Sequence, residues 1–244
     1  MTTGAPAWRL RRYAHLPSTQ TLAVTLAEAD EPEGLAILAD RQSAGQGTQG
    51  RVWEGASGNL HISMLLRPTG PMAEVAQYSL LAGVALAEAV AGFAPDPAAL
   101  SLKWPNDLLL GGAKMAGILT QAAAGPQSGP GGGIDWLIFG IGVNLAAAPA
   151  VPGRSTACLG VAVPVEALAT ALLARIDHWR LVRATEGFAP IRAAWLALGP
   201  QRGTWLNLSR PEISGRFEGL GEDGALLIGT AGRIHALRAG EILD

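Results

Sequence analysis

The longest apolar run in the chain, residues 72–93, carries Glu74, Gln77 and Glu88, groups that the centre of a bilayer would penalise. A segment this rich in alanine and leucine that does not cross a membrane must bury most of its surface as a core helix, and other elements must wrap it. Strand-like runs at 35–39, 60–66, 100–104, 114–120 and 136–143 supply the wrapping. So do helical patterns over 19–29 and 165–185, the latter apolar at Leu168, Leu172, Ile176 and Trp179. Strands and helices do not alternate strictly. The expectation is therefore an α+β fold, a mixed or antiparallel sheet with packed helices, and not a doubly wound parallel one.

A chain of 244 residues, 49% hydrophobic and 16% charged, has enough apolar material for one large folded domain with a small appendage. Beyond Leu198 the texture changes to short strands around Gly221-Glu222-Asp223-Gly224 and Thr230-Ala231-Gly232, both turn signals. This divides the chain into residues 1–197 and a β-rich unit, 198–244. The glycines and prolines of residues 124–133 read as a mobile hairpin connection.

A net charge of −2 gives no electrostatic reason to expect nucleic acid. Nothing before Tyr13 is long enough for a DNA-reading helical module, and Arg9, Arg11 and Arg12 alternate with Leu10 as one solvated face of an edge strand. No apolar segment follows them as in a secretory signal. Cys158 is the single cysteine, which excludes an internal disulfide and fits a reducing, cytoplasmic setting. The four histidines are scattered, so no metal site is expected.

Several segments carry chemistry. In Ser101-Leu102-Lys103-Trp104-Pro105-Asn106-Asp107 a lysine ends an apolar strand, and Pro105 holds Trp104 extended. Lys103 is either a solvated strand end or a charge for a developing phosphate anion. Asn106 and Asp107 are turn formers, with Asp107 also a magnesium contact in the second reading. From Asp40 to Trp53, Gly45, Gly47 and Gly50 allow a close backbone approach to an anion, Arg51 suits a phosphate and Trp53 a purine face. With 32 glycines in the chain, a plain surface loop fits equally. In Gly140-Ile141-Gly142-Val143-Asn144 the glycines bare one strand face for a ring or for close packing, and Asn144 offers a donor and an acceptor. Ser18-Thr19-Gln20 opens a helix, as a cap or as hydroxyls for a ligand.

In order and spacing these segments, with Lys114 and Gly117-Ile118-Leu119 behind Asp107, resemble the biotin protein ligases over most of the chain. The resemblance implies a mixed α/β catalytic domain related to lipoate ligases and a small C-terminal β-barrel. It implies ATP-dependent activation of biotin as biotinyl-5′-AMP and biotin transfer to a lysine of a carboxylase biotin carrier domain. Mg2+ accompanies ATP, and the protein is a monomer or homodimer without nucleic-acid or membrane partners. By resemblance, Ser18, Thr19, Gln20 and Gln42 contact biotin, as do Gln46, Gly47 and Thr48 of the loop. Gly140 and Gly142 floor its pocket and Leu108 forms an apolar wall. Lys103 lies near the biotin carboxylate and the α-phosphate, with Arg51 beside it in the chemistry. Gly45, Arg51, Trp53 and Asn144 serve the nucleotide.

One departure stands out. The family loop reads Gly-Arg-Gly-Arg-x-Gly-Arg, and here Gln46 and Thr48 replace two of its arginines. A hydrogen bond to a charged group is worth about 1.5–3 kcal/mol, so each loss is expected to weaken retention of the adenylate roughly tenfold to a hundredfold. Two other readings share these residues. A lipoate or octanoate ligase or transferase has the same fold, although a transferase needs a nucleophile and Cys158 has no supporting motif. A non-catalytic biotin-binding regulator is the other.

Overall fold

The computed structural model describes residues 7–125 and 132–243. The chain runs β1 (Arg9–Tyr13), α1 (Thr19–Glu28), β2 (Leu35–Ala39), β3 (Leu60–Leu66), α2 (Val75–Ala91), β4 (Leu100–Lys103) and β5 (Asp107–Leu110). It continues through β6 (Ala113–Gly125), β7 (Gly133–Val143), α3 (Val165–Glu186) and α4 (Ala189–Leu198). It ends in β8 (Trp205–Ser209), β9 (Glu212–Leu220), β10 (Leu226–Thr230) and β11 (Arg233–Leu237).

The first seven strands form one sheet in the order β1-β2-β3-β7-β6-β5-β4. Only the β1–β2 pair is parallel, so the sheet is mixed, as expected. β1 is an edge strand and its arginines are exposed, each facing a carboxylate: Arg9 and Arg11 share Glu31, while Arg12 meets Asp40 and Glu166. The helix long and apolar enough to cross a bilayer is the central helix of this core. α2 packs against the sheet on one side and against α3 and α4 on the other, which is why hydrophobic residues occur all round it.

The opposite face of the sheet divides in two. At one end α1 lays Ala23 and Ala27 on Leu35, Ile37, Leu65, Trp136 and Ile138. Beyond the N-terminus of α1 no α-helix among the described residues covers the face, and the side chains there turn polar or vanish: Ser63 and His61 on β3 stand opposite Gly140 and Gly142 on β7.

Some elements differ from the sequence reading. A hairpin partner, β5, follows Asn106, because Gly111 and Gly112 adopt positive φ (58° and 82°) and turn the chain straight into β6. β4 stops at Lys103, and the Trp104–Pro105 bond is cis. α4 was not anticipated, and Gly187 at φ 79° separates it from α3. Of the hairpin connection read over 124–133, residues 126–131 lie outside the described residues; at its ends Gly125 pairs with Gly133.

The C-terminal unit is a four-stranded antiparallel sheet in the order β11-β10-β9-β8, the small β-rich unit that the resemblance implied. Its inward residues join the main core. Leu206, Leu208, Phe217, Leu220, Leu226 and Ile228 belong to the same hydrophobic cluster as α2, so the sheet buries its apolar face on the rest of the molecule. The segment after β11 returns to β8, where Leu208 bridges Ile242. A Cβ on Gly240 would stand 2.6 Å from the Arg210 carbonyl oxygen and 3.3 Å from the Trp104 ring, so this return is fitted closely against β4's last turn.

Candidate functional site

The bare stretch of sheet beside α1 is the floor of a cavity. Along β7 the residues facing this side run Ile138 under α1, then Gly140, then Gly142. A Cβ at Gly140 would lie 2.3 Å from Gln20 Oε1, and one at Gly142 would lie 2.3 Å from Cε2 of Trp53. Both glycines are therefore required by the Gln20 and Trp53 side chains that stand over them. The neighbouring Gly117 on β6 continues the floor, 3.1 Å from Trp53 by the same construction.

The wall at the α1 end is polar and almost fully buried. Ser18 caps α1, accepting from the Thr21 amide, and is 3% exposed. Thr19 donates its backbone N–H to Gln42 Oε1 at 2.7 Å, with its hydroxyl 3.1 Å from the same atom. Ser63 Oγ lies 2.9 Å from Thr19 Oγ1 and 3.0 Å from Gln20 Oε1, and Gln20 Nε2 donates to Gln121 at 2.7 Å. Ser63 and Gln121 gave no local signal in the sequence. Their contacts to Gln20 span 43 and 101 residues and exist only because β3, β6 and β7 are neighbours.

The glycine-rich loop forms the roof. It is a small self-bonded hairpin in which Trp53 N–H donates to the Gly45 carbonyl and Gly47 N–H to the Arg51 carbonyl, with Gln46 bridged to Val52. The positive φ of Gly50, 73°, makes its tip. Gly47, Thr48 and Arg51 line the cavity, and Gln46 also reaches Thr21 Oγ1 at 3.1 Å. Gly45 does not line it; a Cβ there would meet the Trp53 carbonyl oxygen at 2.4 Å, so this glycine closes the base of the hairpin. Trp53 lays its indole on the glycine floor, with its buried Nε1 unpartnered among the described residues.

Lys103 is not among the cavity-lining residues. It ends β4, the far edge strand, with β5 and β6 between it and the β7 floor. The ammonium in the cavity belongs to Lys114 on β6, whose Nζ lies 5.9 Å from the Trp53 ring centroid and 2.5 Å from Asp107 Oδ1. A slip of register places it there: Leu108 faces Ala116 but Leu109 faces Lys114, a bulge that re-aims the side chain. Asp107 is thus the partner of Lys114 in this structure. Leu108, expected as a cavity wall, is fully buried in the α2 cluster and does not line the cavity, because strand alternation sends it to the other face.

Asn106 exchanges hydrogen bonds with the Ile118 backbone and lines the cavity. Asn144 lines it too, but its amide is engaged, donating to the Ala157 carbonyl and accepting from Asn59. At the mouth, Arg51 and Arg154 converge on one carboxylate, Glu241, which follows β11. Hydrogen bonding from Arg51 holds the Glu241 carboxyl below the usual carboxylate range. Arg154 and Glu241 were not read from the sequence, since nothing near them in the chain marks them.

The Biotin/lipoate A/B protein ligase family model matches residues 13–130. A biotin--[acetyl-CoA-carboxylase] ligase of Paracoccus denitrificans is 41% identical over 210 residues, covering 81% of this chain and 85% of that protein. One from Mycobacterium tuberculosis is 30% identical over 249 residues, covering 97% and 89%. Among solved structures, a biotin protein ligase from Aquifex aeolicus in complex with biotin and ATP superposes with a TM-score of 0.80 at 27% identity, over 96% of this chain and 97% of that one. With the glycine floor, the polar wall and the lysine in one cavity, and relatives this similar over most of their length, the chain belongs to the biotin/lipoate A/B protein ligase family, among its biotin protein ligases.

Proposed function

We propose that this protein is an ATP-dependent biotin protein ligase. The carboxylate of biotin attacks the α-phosphorus of Mg-ATP to give biotinyl-5′-AMP and pyrophosphate. The amine of a carrier-protein lysine then attacks the mixed anhydride, forming an amide and releasing AMP. The observation that carries this reading is the convergence of Lys114 with a bare glycine floor and a buried hydrogen-bonding wall.

In this reading Thr19, Gln20 and Gln42 meet the cyclic urea of biotin, which has both N–H donors and a carbonyl acceptor. Its fused rings lie on the Gly140 side of the floor, while Trp53 covers Gly142. Lys103, set beside Asp107 by the β4–β5 register, keeps the role that the resemblance gave it, and Lys114, bonded to Asp107, adds a second ammonium where negative charge builds on the attacking carboxylate and the α-phosphate. Trp53 presents a flat face to the nucleobase, and Arg51 and Arg154 face the phosphates. Mg2+ enters with ATP as part of the substrate. Residues 1–197 hold the chemistry and residues 198–244 contribute Glu241. The acceptor is the biotin carrier domain of a carboxylase, the setting is the cytoplasm, and the protein acts as a monomer or homodimer.

ATP–pyrophosphate exchange, run separately with biotin, lipoate and octanoate, tests the reading. Exchange with biotin alone is expected; exchange with lipoate reassigns the substrate, and none with any acid makes the protein a binding protein and not a ligase.

A further inference from the structure

Gln121 sits on β6, two residues beyond Leu119 and outside the cavity lining, yet it ends a continuous chain of polar groups that begins inside it. The chain runs from Gln42 through Thr19, Ser63 and Gln20 to Gln121, with separations of 2.7–3.1 Å. Ser63 is fully buried and Gln20 is 3% exposed, so each member must find its partners within the chain or on a ligand.

Hydroxyls both donate and accept, and an amide can turn end for end, so such a chain has two polarities. In the one present here, Gln20 Nε2 donates to Gln121 Oε1, and Gln20 Oε1 is left beside Ser63 and over the bare Cα of Gly140. The cavity therefore offers an acceptor at this point. In the opposite polarity Gln121 donates to Gln20 Oε1, and the cavity would offer the Gln20 amino group.

We propose that Gln121 is a positioning residue that acts through Gln20, holding its carbonyl oxygen toward the floor as the acceptor for a ring N–H of the substrate's cyclic urea. The inference rests on the biotin reading above. It assigns part of the site's selectivity for an N–H donor to a side chain that does not touch the substrate. Because Gln121 is itself an amide, the polarity it imposes depends on its own orientation; a carboxylate in its place accepts only and fixes the observed polarity outright.

The test compares Gln121→Met, which keeps length and removes the hydrogen bond, with Gln121→Glu. Both are measured by ATP–pyrophosphate exchange at varied biotin and at varied ATP, with thermal melting to establish that each is folded. Leaving the Gln20 amino group unpaired and free to turn is expected to raise the biotin KM about tenfold in Gln121→Met, with the ATP KM unchanged. Gln121→Glu is expected to stay within about threefold of the parent for biotin, since it restores the acceptor. A biotin KM within threefold of the parent in Gln121→Met overturns the proposal, as does an impairment of Gln121→Glu equal to that of Gln121→Met. If the parent protein itself shows no exchange with biotin, the functional reading fails and this inference with it. Parent exchange with an indifferent Gln121→Met removes this inference alone.

Discussion

At the α1 end of the cavity, Ser18, Thr19 and Gln20 are each 3% exposed and are bonded into a closed set of partners. At the loop end, Val52 is 72% exposed, and Arg51 is held by its own loop at Thr48 and by Glu241 from beyond β11. The first end loses little freedom when a ligand arrives, because its groups are already ordered by buried strands and a helix cap. In the proposed function the second would exchange its partners when a ligand arrives, because a guanidinium that meets phosphate leaves or shares its carboxylate. In the proposed function, selectivity for biotin thus lies in the rigid end, and commitment to the adenylate lies in the end that rearranges.

The largest expected effect is at neither end but at the charge between them. Lys103→Ala should lower the rate of biotin adenylation by at least ~100-fold, as when a charge-stabilising donor is removed, and Lys114→Ala should lower it by less. Rates of single-turnover adenylation measure both, and an unchanged rate in Lys103→Ala would falsify its role. Next, Gly140→Ala places a methyl 2.3 Å from Gln20 Oε1 and Gly142→Ala places one 2.3 Å from the Trp53 ring. At about 1–3 kcal/mol for overpacking, each should weaken binding roughly tenfold to a hundredfold. Calorimetry should find biotin affected by Gly140→Ala, with Gly142→Ala falling more heavily on the nucleotide. The same loss of both ligands in both variants would erase the distinction between the ends.

Smaller effects belong to the loop. Restoring arginine at Gln46 and Thr48 together should slow escape of biotinyl-5′-AMP by about tenfold or more, read as adenylate retained on the protein after gel filtration. Unchanged release would mean that the loop's neutral side chains hold the intermediate as well as arginines do. Smallest of all, Glu241→Gln should cost about 1 kcal/mol or less at neutral pH, because Arg51 and Arg154 are partly solvated. The folded pKa of Glu241 is lowered, so its contribution is complete above the unfolded carboxylate value of about 4.3 and is lost as pH falls through the lower folded value. Denaturation curves of parent and variant should therefore run apart at pH 7 and converge in acid.

What the sequence carried and what it lacked follow from the range of the interactions. The five sheet runs, the core helix and the glycine loop were legible because their signals are local: apolar period, β-branching and turn residues. Gly140 and Gly142 were legible for the same reason, as alternate positions of one strand. Lys103 was legible because it ends a strand beside a fixed turn, whereas Lys114 reaches the cavity through a bulge in β6 that leaves no mark on the local pattern. Leu108 was put on the wrong face because β5 was taken for part of a turn. The short strands of the C-terminal unit were legible from their turns, while their packing into the main core is a contact between distant segments. Ser63, Gln121, Arg154 and Glu241 are made functional candidates by the fold alone.

The seat of Trp53 also makes the protein its own optical probe. An indole lying on the glycine floor, with its N–H unpartnered among the described residues and the ammonium of Lys114 at 5.9 Å, emits from a partly buried, polarised setting. A ligand that stacks on the ring or offers its N–H an acceptor changes that emission. Subtracting the spectrum of Trp53→Phe then isolates this one signal from the other six tryptophans, and nucleotide arrival can be timed separately from biotin arrival without attaching a dye.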